Sequence, residues 1–157
     1  MDETTRAIIE RITVVFAKPT RIPTGQVCTT FYDTFQLSPS DLARLAGIAV
    51  GHLQHDDFDV AVGLSYSGIL YSAAIAGGRK VTILQKDGQF FGPDLNGLKV
   101  VVVDDVVHTG GRLKDAAKKV EAEGGTVVGY ACIVDRSNGT LPELSLPLWS
   151  AFQTEME

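Results

Sequence analysis

The chain has little cysteine, no long apolar run and no surplus of positive charge, and each shortage excludes a class of protein. Its two cysteines, Cys28 and Cys132, lie far apart without a C-x-x-C motif, which argues against a disulfide framework or a cysteine metal site. No apolar stretch approaches the roughly 18 residues of a membrane-spanning helix. The first residues are acidic and lack the apolar core of a secretory signal. Together these features favour a cytoplasmic protein.

Acidic residues outnumber basic ones, 19 Asp and Glu against 14 Lys and Arg, for a net charge of −5. The basic residues are also scattered, whereas a surface that binds nucleic acid needs a concentrated basic patch. The 157 residues suffice for a sizeable core, and we expect a single domain over 1–157.

Apolar periodicity predicts helices that alternate with strands. Helices are predicted over 4–17, from Ser38-Pro39 onward, over 69–76 and over 112–123. Lys18-Pro19 ends the first of them. The predicted strands cover 29–33, 58–62, 81–84, 100–103, 126–134 and 146–152. This alternation is typical of an α/β fold with a mainly parallel central sheet and helices on both faces. Ligands of such sheets bind at the carboxyl ends of the strands, so we expect one cleft lined by Gly68, Lys86, Asp104 and Asp135.

The most informative segment runs from Val100 to Gly111. Four valines indicate a strand buried on both faces, Asp104 and Asp105 follow at its end, and 109–111 form a turn before a helix. Backbone N–H groups at such a turn suit phosphate, and carboxylates suit sugar hydroxyls or hydrated Mg²⁺. Two other interpretations stay open: a solvated turn, and the Mg²⁺ site of a receiver-type domain, where the acid pair follows the first strand.

This run closely resembles the phosphoribosyl-pyrophosphate (PRPP) signature of the type I phosphoribosyltransferases, whose fold is Rossmann-like. The resemblance implies that Asp104 and Asp105 bind the ribose 2- and 3-hydroxyls and reach Mg²⁺ through water. His108 and Arg112 depart from the usual pattern, since small or hydroxyl-bearing residues are common there; Arg112 either adds charge to the phosphate site or points to solvent. The 5-phosphate is assigned to the loop made of Val107, His108, Thr109, Gly110, Gly111 and Arg112.

The segment from Asp59 to Ile69 looks like the pyrophosphate loop of the same family. This family often holds a cis peptide there, and the corresponding bond is Leu64–Ser65. In the orotate branch a basic pair after the next strand lies beside the pyrophosphate. Here the pair is Gln85-Lys86, so one cation is lost, and Lys86 is assigned a catalytic and PRPP-binding role with the acid pair. Without the resemblance, two simpler interpretations remain open: the loop is a plain turn, and Lys86 is a solvated lysine at a strand end. The loop residues implied in PRPP binding are Ser65, Tyr66, Ser67 and Gly68.

The N-terminal part is similar to the orotate phosphoribosyltransferases in the order of its segments. We therefore expect residues 1–36, the base-side segment, to border the base, with Phe31 and Arg136 as candidate base contacts; Arg136 suits a surface position equally well. Two features depart from that branch. The stretch Thr24-Gly25-Gln26 lacks the cation usual near this point, and 87–99 are too few for the long loop that carries a catalytic lysine and histidine.

The activity that the resemblance implies is transfer of the ribose 5-phosphate group of PRPP to a nitrogenous, orotate-like base, with release of pyrophosphate. It also implies Mg²⁺ as cofactor, a place in pyrimidine biosynthesis and a homodimer. The missing loop leaves a second hypothesis, a non-catalytic regulatory protein that binds PRPP or a nucleotide. A third, a structural module without a ligand, requires the signature to be accidental.

Overall fold

The structure, a computed structural model, describes residues 1–22, 25, 27–137, 141 and 144–154. Helices and strands alternate along most of this part of the chain. The helices are α1 (Glu3–Ile12), α2 (Pro39–Val50), α3 (Gly68–Ala76) and α4 (Gly111–Ala122). The strands are β1 (Thr13–Arg21), β2 (Val27–Tyr32), β3 (Val60–Leu64), β4 (Lys80–Leu84), β5 (Phe90–Phe91), β6 (Lys99–Val103), β7 (Val106–Val107), β8 (Thr126–Asp135) and β9 (Leu148–Gln153).

The central sheet contains seven strands in the order β5-β4-β3-β6-β8-β7, and β9 also pairs with β8. Strands β3, β4, β6, β7, β8 and β9 pair in parallel, while the short β5 is antiparallel to β4. The predicted α/β class with a mainly parallel sheet is therefore confirmed. Because parallel strands share a direction, the loops after β3, β4 and β6 leave the sheet at one edge.

Strand β6, which contains the four valines, is buried on both faces of the sheet, as the sequence predicts for a central strand. Val100, Val101, Val102 and Val103 are each 0% exposed. Val101 and Val103 belong to the core cluster that includes residues of α1, α2 and α3, whereas Val100 and Val102 belong to the cluster that includes residues of α4. Successive side chains point to opposite faces of a strand, so this division puts helices on both faces of the sheet.

The first predicted helix is wrong in its second half. Helix α1 ends at Ile12 instead of continuing to residue 17, and β1 follows immediately. The β-branched run Thr13-Val14-Val15 favours an extended backbone, and its pairing with β2 supplies the hydrogen bonds that a helix would have provided. Pro19, expected at the helix end, lies in β1 where the register with β2 is irregular between Val15 and Thr20, a position that tolerates a missing N–H.

Helix α2 begins where the sequence predicts. Ser38 caps it by accepting a hydrogen bond from the Asp41 N–H at 3.1 Å, and the Asp41 carboxylate accepts one from the Ser38 N–H at 3.0 Å. Its buried face carries Leu42, Leu45, Ala46 and Ala49. None of the helices in the described ranges is long and apolar enough to cross a membrane.

Candidate active site

The acid pair leaves the sheet directly after β6 and is fastened to β8 by its backbone. The Asp104 N–H donates to the Ala131 carbonyl at 3.1 Å, and the Asp105 carbonyl accepts from Ile133 and Val134 at 2.8 and 3.0 Å. Strand β7 then pairs with the end of β8. These bonds hold the two carboxylates at the carboxyl edge of the sheet, as predicted.

Asp104 is deeply buried, with only 2% of its surface exposed. Burial, and then the neighbouring Asp105 charge, raise the pKa of Asp104 to about 7, while the Arg112 guanidinium opposes the rise. The Arg112 Nη1 lies 3.2 Å from Asp104 Oδ2. A buried carboxylate in this condition gains from any further cation or hydroxyl donor that enters the site.

Arg112 joins the acid pair to the loop after β3. Besides its contact with Asp104, its Nη2 donates to the Ser65 carbonyl at 2.9 Å. The side chain is 54% exposed, so its outer face is open to solvent. Arg112 therefore does not merely point to solvent, and its role in phosphate binding stays a prediction.

The loop over residues 65–68 packs against the start of the acid pair. A Cβ added at Gly68 would lie 2.6 Å from the Val103 carbonyl oxygen and 3.2 Å from Asp104 Cα. Ser65 is 5% exposed and its N–H donates to the Leu84 carbonyl at 3.0 Å. The loop therefore has one edge against β6 and the other against β4.

The cis peptide of this loop is the Ser65–Tyr66 bond, not the predicted Leu64–Ser65 bond. Strand β3 continues through Leu64, which pairs with Leu84, so the turn begins two residues later than the end of the predicted strand at residue 62. Tyr66 is 66% exposed, and Lys86 Nζ lies 4.6 Å from the centroid of its ring. Lys86 thus stands beside the loop to which the resemblance assigns the pyrophosphate.

The glycine turn leads into α4 as expected. Gly110 has φ +81°, a left-handed conformation that favours glycine, and a Cβ there would lie 3.2 Å from the Leu141 side chain. Thr109 is exposed, and its Oγ1 lies 3.4 Å from the Gly111 N–H. Val107 is buried and accepts from the Arg136 N–H at 2.8 Å, while His108 is half-buried. The turn thus ends at Gly111, where α4 begins.

Asp135 and Arg136, at the carboxyl end of β8, are both buried. Asp135, expected to line the cleft, is buried, and its Oδ1 accepts the Ser137 N–H at 2.9 Å and the Ser137 hydroxyl at 2.6 Å. Arg136 is 2% exposed, its Nη1 donates to the Thr30 carbonyl at 3.0 Å and its guanidinium lies 5.4 Å from the Tyr32 ring centroid. The surface position considered for Arg136 is therefore excluded, and its contact with a base stays a prediction.

The base-side segment reaches the acid pair through a residue that sequence reasoning missed. Thr34 follows β2 and its hydroxyl donates to Asp105 Oδ2 at 2.8 Å. Phe31 of β2 is half-buried, while Thr24 and Gln26 lie outside the described residues. A lone threonine in an irregular stretch carries no pattern that could have singled it out.

The segment between Lys86 and β6 is a compact turn and hairpin. The Gln85 N–H donates to the Gln89 carbonyl at 2.9 Å, and β5 pairs with β4 through Phe91 opposite Ile83. This geometry agrees with the shortened loop read from the sequence, and Phe90 and Phe91 serve as hairpin residues. No three His, Cys, Asp or Glu side chains come together as a metal site within the ranges that the structure describes.

Comparisons with known proteins bear on the family and the fold. A family model described as the phosphoribosyl transferase domain matches residues 79–150. An orotate phosphoribosyltransferase of Nocardioides sp. is 32% identical over 124 residues, covering 72% of this chain and 69% of the relative. One from Sulfurisphaera tokodaii is 32% identical over 104 residues, and the match spans 61% of this chain and 53% of the relative. The structure of the Mycobacterium tuberculosis H37Rv orotate phosphoribosyltransferase in complex with inorganic phosphate superimposes with TM-score 0.75 at 24% identity, covering 96% and 94% of the two chains.

Proposed function

Because this chain belongs to the phosphoribosyltransferase family, we propose that it transfers the ribose 5-phosphate group of PRPP to a nitrogenous base, orotate or a close analogue. In this reaction the bond from ribose C1 to the pyrophosphate oxygen breaks, a bond from C1 to a base nitrogen forms, and the base nitrogen loses its proton. The observation that carries the proposal is the meeting of Asp104, Arg112 and the Ser65 carbonyl within hydrogen-bonding distance at the carboxyl edge of the sheet.

Each part of PRPP has a chemically matched partner at this edge. The ribose hydroxyls donate to the carboxylates of Asp104 and Asp105, and the 5-phosphate accepts from amides of the glycine turn and the start of α4. The pyrophosphate lies along 65–68 with Lys86 at its side. Arg112 lies between the two loops. Its guanidinium can donate to a phosphate oxygen in place of the Ser65 carbonyl, and this would stabilise the negative charge that develops on the leaving pyrophosphate.

The residues present fit Mg²⁺ as the cofactor. Mg²⁺ is commonly held by one or two carboxylates together with water and substrate phosphates, so the acid pair suffices without a third protein ligand. The buried charge of Asp104 beside that of Asp105 favours a nearby cation. Asp104 and Asp105 would hold the ion, directly or through water. When bound, it would neutralise charge on the departing pyrophosphate.

Orotate is the acceptor proposed because the two relatives at 32% identity are orotate phosphoribosyltransferases. The base-side segment lies next to Asp105, where an acceptor must approach ribose C1. Phe31 is the proposed base contact, and Arg136 supports β2 behind it. The reaction places the protein in pyrimidine biosynthesis. The homodimer and the cytoplasmic location expected from the sequence stay predictions.

The direct test is release of pyrophosphate from PRPP in the presence of Mg²⁺ and a panel of nucleobases. We expect release that depends on the added base and is fastest with orotate. Tight PRPP binding without pyrophosphate release from any base would instead support the non-catalytic regulatory protein, whose binding sites would be the same.

Lys86 provides a test of where the pyrophosphate lies. Replacing Lys86 with Ala is expected to raise the Kd for PRPP about tenfold, the usual cost of a lost charge-assisted hydrogen bond, and to leave the Kd for ribose 5-phosphate almost unchanged. Calorimetry with both ligands gives the comparison. Lys80→Ala, exposed at the opposite end of β4, is the matched control. Equal losses for the two ligands in Lys86→Ala would contradict the assignment.

The raised pKa of Asp104 predicts a pH-dependent stability. The pKa of the Asp104 carboxyl is about 7 in the folded protein and its ordinary 3.8 in the unfolded chain. Between these pH values the folded state binds the extra proton, so the free energy of unfolding falls as the pH rises. Above pH 7 the buried charge is a cost that Asp104→Asn removes. We expect Asp104→Asn to raise the Tm at pH 8 by at least about 4 °C, and by much less at pH 5.

Thermal unfolding at both pH values measures this difference. Asp115→Asn, an exposed substitution on α4, is the control, and its Tm difference from the wild type should be the same at pH 5 and pH 8. A destabilised Asp104→Asn protein at pH 8 would show that the Arg112 pair outweighs burial.

A further inference from the structure

The Asp105 carboxylate is held by two donors from different parts of the chain. Its Oδ1 accepts the N–H of Val106 at 2.8 Å, and its Oδ2 accepts the hydroxyl of Thr34 at 2.8 Å. Asp105 and Thr34 are 71 residues apart in sequence, so this contact exists only because the fold brings the base-side segment to the acid pair. A carboxylate only accepts hydrogen bonds when ionised, so the hydroxyl must be the donor.

The position of the Thr34 hydroxyl is set by the fold. Thr34 is 8% exposed and opens a single 3₁₀ turn over Thr34–Gln36. The preceding Asp33 N–H donates to the Ile12 carbonyl at 2.8 Å, and the Leu37 N–H donates to the Thr34 carbonyl at 3.2 Å. The β-branched side chain has few χ1 rotamers, so little freedom remains for the hydroxyl. Thr34 is thus a rigid donor aimed at one oxygen of Asp105.

The acid pair needs such a donor because its two charges repel. The Asp105 charge is one of the causes that raise the pKa of Asp104, and Arg112 pairs with Asp104. Within the described residues, the side-chain group that donates a hydrogen bond to Asp105 is the Thr34 hydroxyl. With one donor on each oxygen, the Asp105 carboxylate plane is fixed and each oxygen keeps a lone pair for a ribose hydroxyl.

We propose that Thr34 is a positioning residue, which orients the Asp105 carboxylate for the ribose of PRPP and so ties the base-side segment to the ribose site. This inference rests on the proposed function. Without the hydroxyl, only the Val106 N–H still holds the Asp105 carboxylate, whose other oxygen can then turn away from Asp104, so that PRPP must reorder it on binding. Loss of the hydroxyl therefore weakens PRPP binding and not base binding, although Thr34 lies in the segment that borders the base.

The test compares Thr34→Val, which keeps the shape and removes the hydroxyl, with Thr34→Ser, which keeps the hydroxyl. In Thr34→Val we expect the Kd of Mg²⁺-PRPP and the KM for PRPP to rise about tenfold or more, and the KM for the base to stay within about twofold. Thr34→Ser should bind Mg²⁺-PRPP within about threefold of the wild type.

A matched control separates this role from a general loss of structure. Thr82 is 0% exposed and its hydroxyl donates to the Pro93 carbonyl at 2.8 Å, away from the acid pair. Thr82→Val removes a buried hydrogen bond of the same kind, so it should lower the Tm and leave the Kd for Mg²⁺-PRPP unchanged. In an Asp105→Asn background, Thr34→Val should add little to the loss, because the two residues act as one unit.

The outcomes are distinguishable. If the wild type binds Mg²⁺-PRPP and Thr34→Val binds it equally well, Thr34 has no positioning role and the proposed function stands. A parallel rise in the KM for PRPP and for the base would point to a disturbed base-side segment and overturn the inference. A wild type that does not bind Mg²⁺-PRPP would overturn the proposed function together with the inference.

Discussion

Replacing Asp104 and Asp105 together with Asn is expected to abolish PRPP binding. In the proposed complex the two carboxylates would accept from the ribose hydroxyls and hold Mg²⁺, and hydrogen bonds to charged groups contribute about 1.5–3 kcal/mol each. Loss of both corresponds to a rise in Kd of roughly 10²- to 10⁴-fold. Folding should survive, because the Ala131, Ile133 and Val134 bonds to the acid pair are made by the backbone.

Ligand-induced thermal stabilisation gives the readout for this variant. A wild type saturated at about one hundred times its Kd gains about 2.7 kcal/mol, which raises the Tm of a domain of this size by roughly 5–10 °C. The double variant should show no shift with Mg²⁺-PRPP. The control is Asp56→Asn/Asp57→Asn, which replaces two exposed aspartates before β3 at the other edge of the sheet. This variant should show the same Tm shift with Mg²⁺-PRPP as the wild type. An undiminished shift in the Asp104/Asp105 variant would remove the acid pair from the site.

Gly68→Ala is expected to disable the site by sterics alone. The added Cβ would lie 2.6 Å from the Val103 carbonyl oxygen and 3.2 Å from Asp104 Cα, both backbone atoms without a flexible side chain to give way. Overpacking of this kind costs about 1–3 kcal/mol of unfolding free energy, more than the ~1 kcal/mol that Ala gains over Gly in a helix. The clash also pushes Asp104 from its position, and a shift of about 1 Å costs roughly 100-fold in kcat/KM.

Gly47→Ala is the matched control for this substitution. Gly47 lies within α2, and a Cβ there has no atom within 4 Å. This variant should gain about 0.5–1 kcal/mol of stability and keep full activity. Denaturant unfolding and steady-state kinetics on both variants decide the matter. A Gly68→Ala protein as stable and active as the wild type would show that the loop is not packed against the acid pair as described.

The parts of the fold that could be predicted from the sequence are those in which local pattern and tertiary burial agree. The valine run of β6, the capping box of α2 and the glycine turn before α4 each carry their signal within a few residues. The acid pair and Arg112 could be located because they sit at fixed offsets from these elements. Their mutual contact and the link to the Ser65 carbonyl required the sheet order, which no local pattern contains.

The remaining features depend on partners distant in sequence. Residues 13–17 fit the apolar spacing of a helix, yet their pairing with β2 makes them a strand. A surface position for Arg136 was compatible with the sequence, whereas in the structure its side chain is buried and contacts the Thr30 carbonyl and the Tyr32 ring. Thr34 acquires its role only from Asp105, which is 71 residues away.

A calorimetric titration of PRPP into the wild-type protein, in the presence of Mg²⁺, shows whether Asp104 and Asp105 form part of a PRPP site. The structure predicts saturable binding at one site per chain in the micromolar range, lost when Asp104 and Asp105 are both Asn. Absence of binding to the wild type would contradict the account, because the acid pair, the glycine turn and the loop over 65–68 would then form no PRPP site.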